Sequence, residues 1–153
     1  MVRKNIPLLV LIAIVLMFVA AFLFKNDLNH LISEKMKQQA GTDEVLSGKT
    51  WVDSLFNYSK NRQGFEYSLL EFKSSGCAIC KKMEPELEKV RNAHDKKINV
   101  VVLNVMNPNS QNVMNYFGIS AVPTQILLDH HGEEVFRNYG FISAENIILK
   151  TEN

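Results

Sequence analysis

The apolar and polar positions divide the chain at residue 24. From Ile6 to Phe24, 19 residues pass without a charge, an amide or a hydroxyl, and Pro7 alone is not plainly apolar. As a helix rising about 1.5 Å per residue, this run is about 28 Å long, close to the ~30 Å hydrocarbon core of a bilayer. Leu28, Leu31, Ile32 and Met36 then recur at helical spacing, with Glu34, Lys35 and Lys37 on the other side. This second helix is expected to end near Ala40-Gly41. The polar stretch Thr42–Lys49, with Gly48 in it, reads as a linker. Thr50 caps a further helix, with Asp53 three residues on; Trp51, Leu55 and Tyr58 form its buried face.

From residue 65 the pattern alternates between strand and helix. Phe65–Phe72 is strand-like, and Lys73–Gly76 is a loop leading into a helix from Cys80 to Ala93 that buries Met83, Leu87 and Val90. Ile98–Val105 is an apolar, β-branched run of the kind expected of a buried central strand. Asn109–Phe117 is a short helix turning Val113, Met114 and Phe117 inward. Gln125–Leu128 and Glu133–Asn138 flank Asp129-His130-His131-Gly132, a hairpin signal. Ser143 caps a last helix bearing Ile147 and Ile148. The order after residue 48 is α-β-α-β-α-β-β-α, an α/β sandwich. The expected organisation is a tail (1–5), an anchor (6–24), a stalk and linker (25–48) and one domain (49–153).

Charge refines this picture. The chain carries 17 Lys+Arg against 16 Asp+Glu, a net +1. Arg3 and Lys4 precede the apolar run, while Lys25 and Asp27 after it cancel. The positive-inside bias therefore puts the N-terminus in the cytoplasm and the domain on the extracytoplasmic, periplasmic or extracellular, face. A cleaved signal peptide is the competing reading. Cutting after Val19-Ala20-Ala21 would leave Phe22-Leu23-Phe24 at the new terminus, and the run exceeds the usual signal core of about 7–15 residues. Without Arg3 and Lys4, 15 basic residues face 16 acidic ones, net −1. That balance excludes a footprint for nucleic acid.

The two cysteines, Cys77-Ala78-Ile79-Cys80, hold the candidate chemistry. A zinc site would need two further ligands at close spacing, and His30, His94, His130 and His131 make no such spacing; no metal is expected. An inert disulfide would close too small a loop to stabilise much. Two unrelated buried thiols and a redox-active dithiol complete the alternatives. Position favours the dithiol. The pair follows a strand and opens a helix, where backbone N–H groups and the helix dipole favour a thiolate on the first cysteine. Lys81 and Lys82 add positive charge. Cys80, one turn on, is placed to attack a mixed disulfide. His130-His131 read as an exposed turn, Met83, Met106 and Met114 as core, Trp51 as a packing residue, and Asn57-Tyr58-Ser59 as an incidental sequon.

Here the sequence resembles the thioredoxin family. Glu71-Phe72, Cys77-Ala-Ile-Cys80-Lys81 and Pro85 match its active-site segment in order and spacing. Gly118-Ile119-Ser120-Ala121-Val122-Pro123-Thr124 is similar to its cis-proline loop, and Gly132 and Gly140 match its glycines. The resemblance covers about residues 65–150. It implies a thioredoxin-like three-layer α/β sandwich, to which the apolar run 6–24 adds the expected N-terminal transmembrane helix. It implies Cys77 as nucleophile, Cys80 as buried resolving thiol and Pro123 as a cis residue beside the disulfide. The Val122 backbone would bind a client strand. Glu71 would take the family's buried carboxylate position, with a pKa raised by desolvation, acting through water on the Cys80 proton.

The departures are Gly76 where the family has tryptophan, Ala78-Ile79 between the cysteines, and Val102 where a lysine is common. Gly76 thus leaves the client-binding surface without one aromatic wall. The implied activity is thiol–disulfide exchange with protein clients, more often as a reductase fed by a membrane electron donor, with no cofactor. The alternatives are an oxidant or isomerase, and a tethered binding module whose redox pair is vestigial.

Overall fold

The computed structural model describes residues 6–56, 64–93 and 97–152. The expected helix residue Tyr58, the Asn57-Tyr58-Ser59 sequon and His94 lie outside them. Among the described residues, six α-helices and four strands follow in chain order: α1 (Ile6–Leu23), α2 (Lys25–Gln39), α3 (Thr42–Phe56), β1 (Tyr67–Lys73), α4 (Ala78–Arg91), β2 (Ile98–Asn104), α5 (Gln111–Phe117), β3 (Thr124–Leu128), β4 (Glu134–Tyr139) and α6 (Ala144–Ile148).

The strands form one sheet in the order β2-β1-β3-β4. β1 pairs parallel with β2 and antiparallel with β3, and β3 pairs antiparallel with β4. Successive side chains of a strand point to opposite faces, and the core splits accordingly. Leu69 and Leu127 pack with Met83, Leu87 and Val90 of α4 and Ala144 and Ile147 of α6. Leu70, Phe72, Ile126 and Leu128 pack with Val52 of α3 and with Val113 and Phe117 of α5. Helices thus cover both faces of the mixed sheet, as in the expected three-layer sandwich.

Several expectations are corrected. Ile98–Val105 is not a central strand: among the described residues β2 stands at the sheet edge, only partly buried, with Val102 exposed. Helices on both faces favour apolar residues on both sides of a strand, so the composition does not reveal the strand's place in the sheet. Met106 is 72% exposed in the turn after β2 and is not core. Thr42–Lys49 is not an irregular linker, and Thr50 does not cap a helix. α3 already runs from Thr42, and the Gly41 N–H donates to Glu44 Oε2 at 2.9 Å at its start. Gly48 serves a close approach rather than a turn: a Cβ there would lie 2.4 Å from the Tyr116 side chain.

The N-terminal helices turn apolar side chains outward. The apolar side chains of α1 described from Leu8 on are exposed. Among the described residues no single helix is long and apolar enough to cross a membrane; α1 and α2 together, bent by 60°, pass by length and composition only. On α2 the apolar residues Leu28, Leu31 and Ile32 are exposed, and polar residues face the domain. Ser33, fully buried, bonds Tyr139 OH at 2.9 Å and Ser120 Oγ at 3.2 Å. The Asn29 carbonyl accepts from Tyr139 OH at 3.3 Å, and Lys37 pairs with Glu134 at 3.2 Å. Gly118, at φ +59°, lies under this helix, and a Cβ there would fall 2.2 Å from the Ser33 carbonyl oxygen.

Candidate functional site

β1 ends at Lys73 and α4 begins at Ala78, so the connecting turn carries Gly76 and Cys77 to the C-terminal end of the central strand. Cys77 is the N-cap of α4. Its backbone is extended (φ −83°, ψ 111°), and its sulfur accepts the Cys80 N–H at 3.1 Å. A helix leaves its first N–H groups without intrahelical partners, and here one of them is aimed at Sγ. That is the arrangement that stabilises a thiolate. Cys77 and Cys80 are joined as a disulfide, with Cα atoms 5.2 Å apart. Cys77 is partly exposed and Cys80 is 1% exposed, so an incoming group reaches the first sulfur and not the second. Gly76 is exposed, and a Cβ built on it meets nothing within 4 Å.

Pro123 arrives from the other side. The Val122–Pro123 peptide is cis, Pro123 is buried and Val122 partly exposed. Thr124 pairs with Phe72 in the β1–β3 ladder, which sets Pro123 at the same end of the sheet as the turn bearing Cys77. The Gly140 N–H donates to the Pro123 carbonyl at 2.8 Å, holding the end of β4 against this loop. Exposed Ile79 and Phe141 add apolar surface on the cysteine turn and beyond Gly140.

Glu71 is fully buried. It follows Leu69 by two residues on the same face of β1, and Cys80 precedes Met83 by one turn of α4. Leu69 and Met83 share one core cluster. Glu71 therefore lies on the face of β1 that α4 covers, two residues nearer the cysteine turn than Leu69. Burial pushes its carboxyl up from 4.5 to about 7, against the lowering pull of a hydrogen bond from Gln125 and the charge of Lys73. Lys73 is itself paired with Glu84 at 2.7 Å. Lys81 and Lys82 are exposed, and Lys81 lends its charge to holding Glu84 low, after the larger effect of Lys73.

Two participants went unnoticed in the sequence. Gln125 and Asn138 stand beside Glu71 in register, and Gln125 Nε2 donates to Glu71 Oε2 at 2.8 Å. Asn138 Nδ2 donates to Gln125 Oε1 at 2.6 Å. The available signal was the amide itself: Gln125 interrupts Thr124–Leu128, a strand buried throughout. Among the described residues no group of three or more His, Cys, Asp or Glu could hold a metal ion. His130 and His131 are exposed in the hairpin turn, their rings 3.8 Å apart.

A cysteine pair at a helix N-terminus, a proline loop at the same end of the sheet and a buried carboxyl on the adjoining strand make an arrangement capable of thiol–disulfide exchange. The family model of the thioredoxin-like domain matches residues 58–152, and the chain belongs to the thioredoxin family. It is similar to the chloroplastic thioredoxin-like protein HCF164 of Arabidopsis thaliana, with 27% identity over 92 residues, 60% of this chain and 35% of that protein. A thioredoxin of Alicyclobacillus acidocaldarius is 38% identical over 72 residues, 46% of this chain and 66% of its own length. The chain therefore spans about a third of the Arabidopsis relative. Among solved structures, a thioredoxin from Halobacterium salinarum superposes with a TM-score of 0.52 at 22% identity, over 60% of this chain and 76% of that one; this likeness concerns the fold.

Proposed function

We propose that this chain is a membrane-tethered, extracytoplasmic oxidoreductase that reduces disulfides in protein clients. The observation that carries the reading is the asymmetry of the pair. Cys77 is partly exposed and accepts a helix N–H, whereas Cys80 is buried. In the reducing direction the Cys77 thiolate attacks a client disulfide. One client sulfur leaves as thiolate and the other is held in a mixed disulfide. Glu71, ionised, takes the proton of Cys80 directly or through water. The Cys80 thiolate then attacks Cys77 Sγ, the mixed disulfide breaks, and the second client thiolate departs. Two electrons have passed to the client, and Cys77–Cys80 is a disulfide again. Two electrons from a dithiol of a membrane electron-donor protein would restore the thiols. Val122 and Pro123 would line the client strand, and Gly76 would leave room where the family has an aromatic wall.

The tether reading takes the apolar run of residues 6–24 as an anchor, with Arg3 and Lys4 on the cytoplasmic side and the domain outside. The exposed apolar surface of α1 supports it, as does the outward apolar side of α2. Redox titration of the full chain in detergent against glutathione tests the direction. A potential in the reducing range of thioredoxins, about −270 mV, is expected, and one near the strong oxidants at about −120 mV would overturn the reductase reading. Catalysis of insulin reduction that depends on Cys77 tests the client class. An alkaline phosphatase fusion after Lys25 tests the topology independently: it should be active in a bacterial host, and activity of only a cytoplasmic reporter there would refute the outward placement.

A further inference from the structure

One row of side chains crosses all four strands on the face that carries α4. It runs Val102, Glu71, Gln125, Asn138, each directly paired with the next. Glu71 and Gln125 are fully buried. The direction of every hydrogen bond in this row follows from one atom. Asn138 Nδ2 lies 3.0 Å from the Gly140 carbonyl oxygen, which can only accept. Asn138 must therefore present its NH₂ on this side, and the same nitrogen donates to Gln125 Oε1 at 2.6 Å. Gln125, its oxygen engaged, must turn its own NH₂ to Glu71 Oε2 at 2.8 Å. On the other flank Val102 offers no polar group, and Glu71 Oε1 is buried without a partner among the described residues.

We infer that Gln125 and Asn138 are positioning residues of the exchange reaction: they hold Glu71 by Oε2 and leave Oε1 as the atom that takes and returns the Cys80 proton. The inference rests on the proton-relay role proposed for Glu71. Its chemical content is directional. A donor fixed on Oε2 supports the carboxylate and is compatible with the acid only when the proton sits on Oε1. With Asn138 removed, the Gln125 amide is free to turn over. Its oxygen would then face Glu71, which could meet it only as the protonated acid and would be lost as a base for Cys80. The charged group acting on Glu71 is Lys73 on its own strand, paired with Glu84 of α4. α4 contributes Cys80, β3 and β4 contribute the neutral amides, and β2 contributes Val102.

The test uses the reduced full chain in detergent with the aromatic disulfide DTNB. Attack by Cys77 releases one thionitrobenzoate, and resolution by Cys80 releases the second. The rate of the second release against pH should rise with a midpoint near that of Glu71. In Gln125→Leu this midpoint should move up by about one pH unit, which is about a tenfold slower second release on the acid side. Asn138→Ala should move it in the same direction. The first release should change little in both. In a Glu71→Gln background neither substitution should have a further effect.

Titration of the Glu71 carboxyl by carbon NMR in the oxidised protein gives a readout that does not depend on turnover. An unchanged carboxyl midpoint in both folded variants would overturn the positioning role. A raised carboxyl midpoint with an unchanged second release, in a protein where Glu71→Gln is also silent, would instead overturn the relay role of Glu71.

Discussion

Replacing Glu71 by Gln should alter stability in a way that depends on pH. The carboxyl is fully buried, and burial holds its pKa at about 7 in the folded chain against 4.5 for an ordinary glutamate. Below pH 4.5 both folded and unfolded chains carry the proton, and the group contributes no pH dependence. Between 4.5 and 7 the unfolded chain releases it while the folded chain keeps it. The folded state then binds more protons, so stability falls as pH rises through this window and levels off above it. Each pH unit of the window is worth about 1.4 kcal/mol, a loss of about 3 kcal/mol in all. Glutamine does not titrate, so Glu71→Gln should gain about 3 kcal/mol on the native protein between pH 4.5 and pH 8. Any cost of the amide N–H that replaces Oε1 is the same at every pH and drops out of the difference.

Urea unfolding of the oxidised full chain in nonionic detergent reads this out, because the disulfide keeps both thiols from titrating. Trp51, the single tryptophan, is packed against the core and serves as the probe. With a urea slope of about 1–3 kcal/mol per M, the gap between the two midpoints should widen by about 1–3 M across the window. A gap constant from pH 4.5 to 8, or one that narrows, would refute the account of Glu71 as a desolvated acid.

Further outcomes follow from the same geometry. Cys80→Ser should accumulate a client adduct on Cys77 that reductant dissolves, and Cys77→Ser should give none; equal yields on non-reducing gels would undo the assignment of nucleophile and resolver. Gly118→Ala places a Cβ against the Ser33 carbonyl at a positive φ, so it should cost about 1–2 kcal/mol. It should also speed proteolytic cleavage within residues 25–39, and cleavage at the native rate would show that α2 is not latched there. Gly76→Trp meets open space. It should lower the KM for insulin with little change in urea midpoint, and an unchanged KM would show that the missing aromatic wall does not limit client binding.

The elements from residue 65 onward were legible because each carries its own period and boundary signals. Ser143 accepts the Asn146 N–H as a cap, and the alternate residues of β1 do sort to opposite cores. The cysteine pair was legible because strand, turn and helix around it are local. What escaped was non-local. The edge position of β2 is a matter of pairing, which hydrophobicity does not encode. Gly48 looked like a breaker, yet it is buried in α3 because Tyr116 of another helix needs the space. Gln125 looked like one polar residue among apolar ones, and only the register to Glu71 and Asn138 gives it a task.

α2 forms where its spacing predicts, and what the spacing leaves open is which side faces the domain. Its apolar spacing was plain, and an apolar stripe ordinarily faces the core. Here Asn29, Ser33 and Lys37, four residues apart, face the domain instead, and Leu28, Leu31 and Ile32 are left outside. A stripe of that kind is expected when the helix has protein on one side and a lipid interface on the other. The polar side grips particular places. Ser120 stands three residues before Pro123. Tyr139 precedes Gly140, whose N–H holds the Pro123 carbonyl. A flexible stalk of the same 15 residues would have an end-to-end distance of about 20 Å and no fixed direction. The helix instead ties the α1 end of the chain to the two segments on either side of the Pro123 loop contact, at the candidate site. On the tethered reading, Cys77 would then sit at a set height and angle above the bilayer, and a membrane electron donor would have to bring its dithiol to that place.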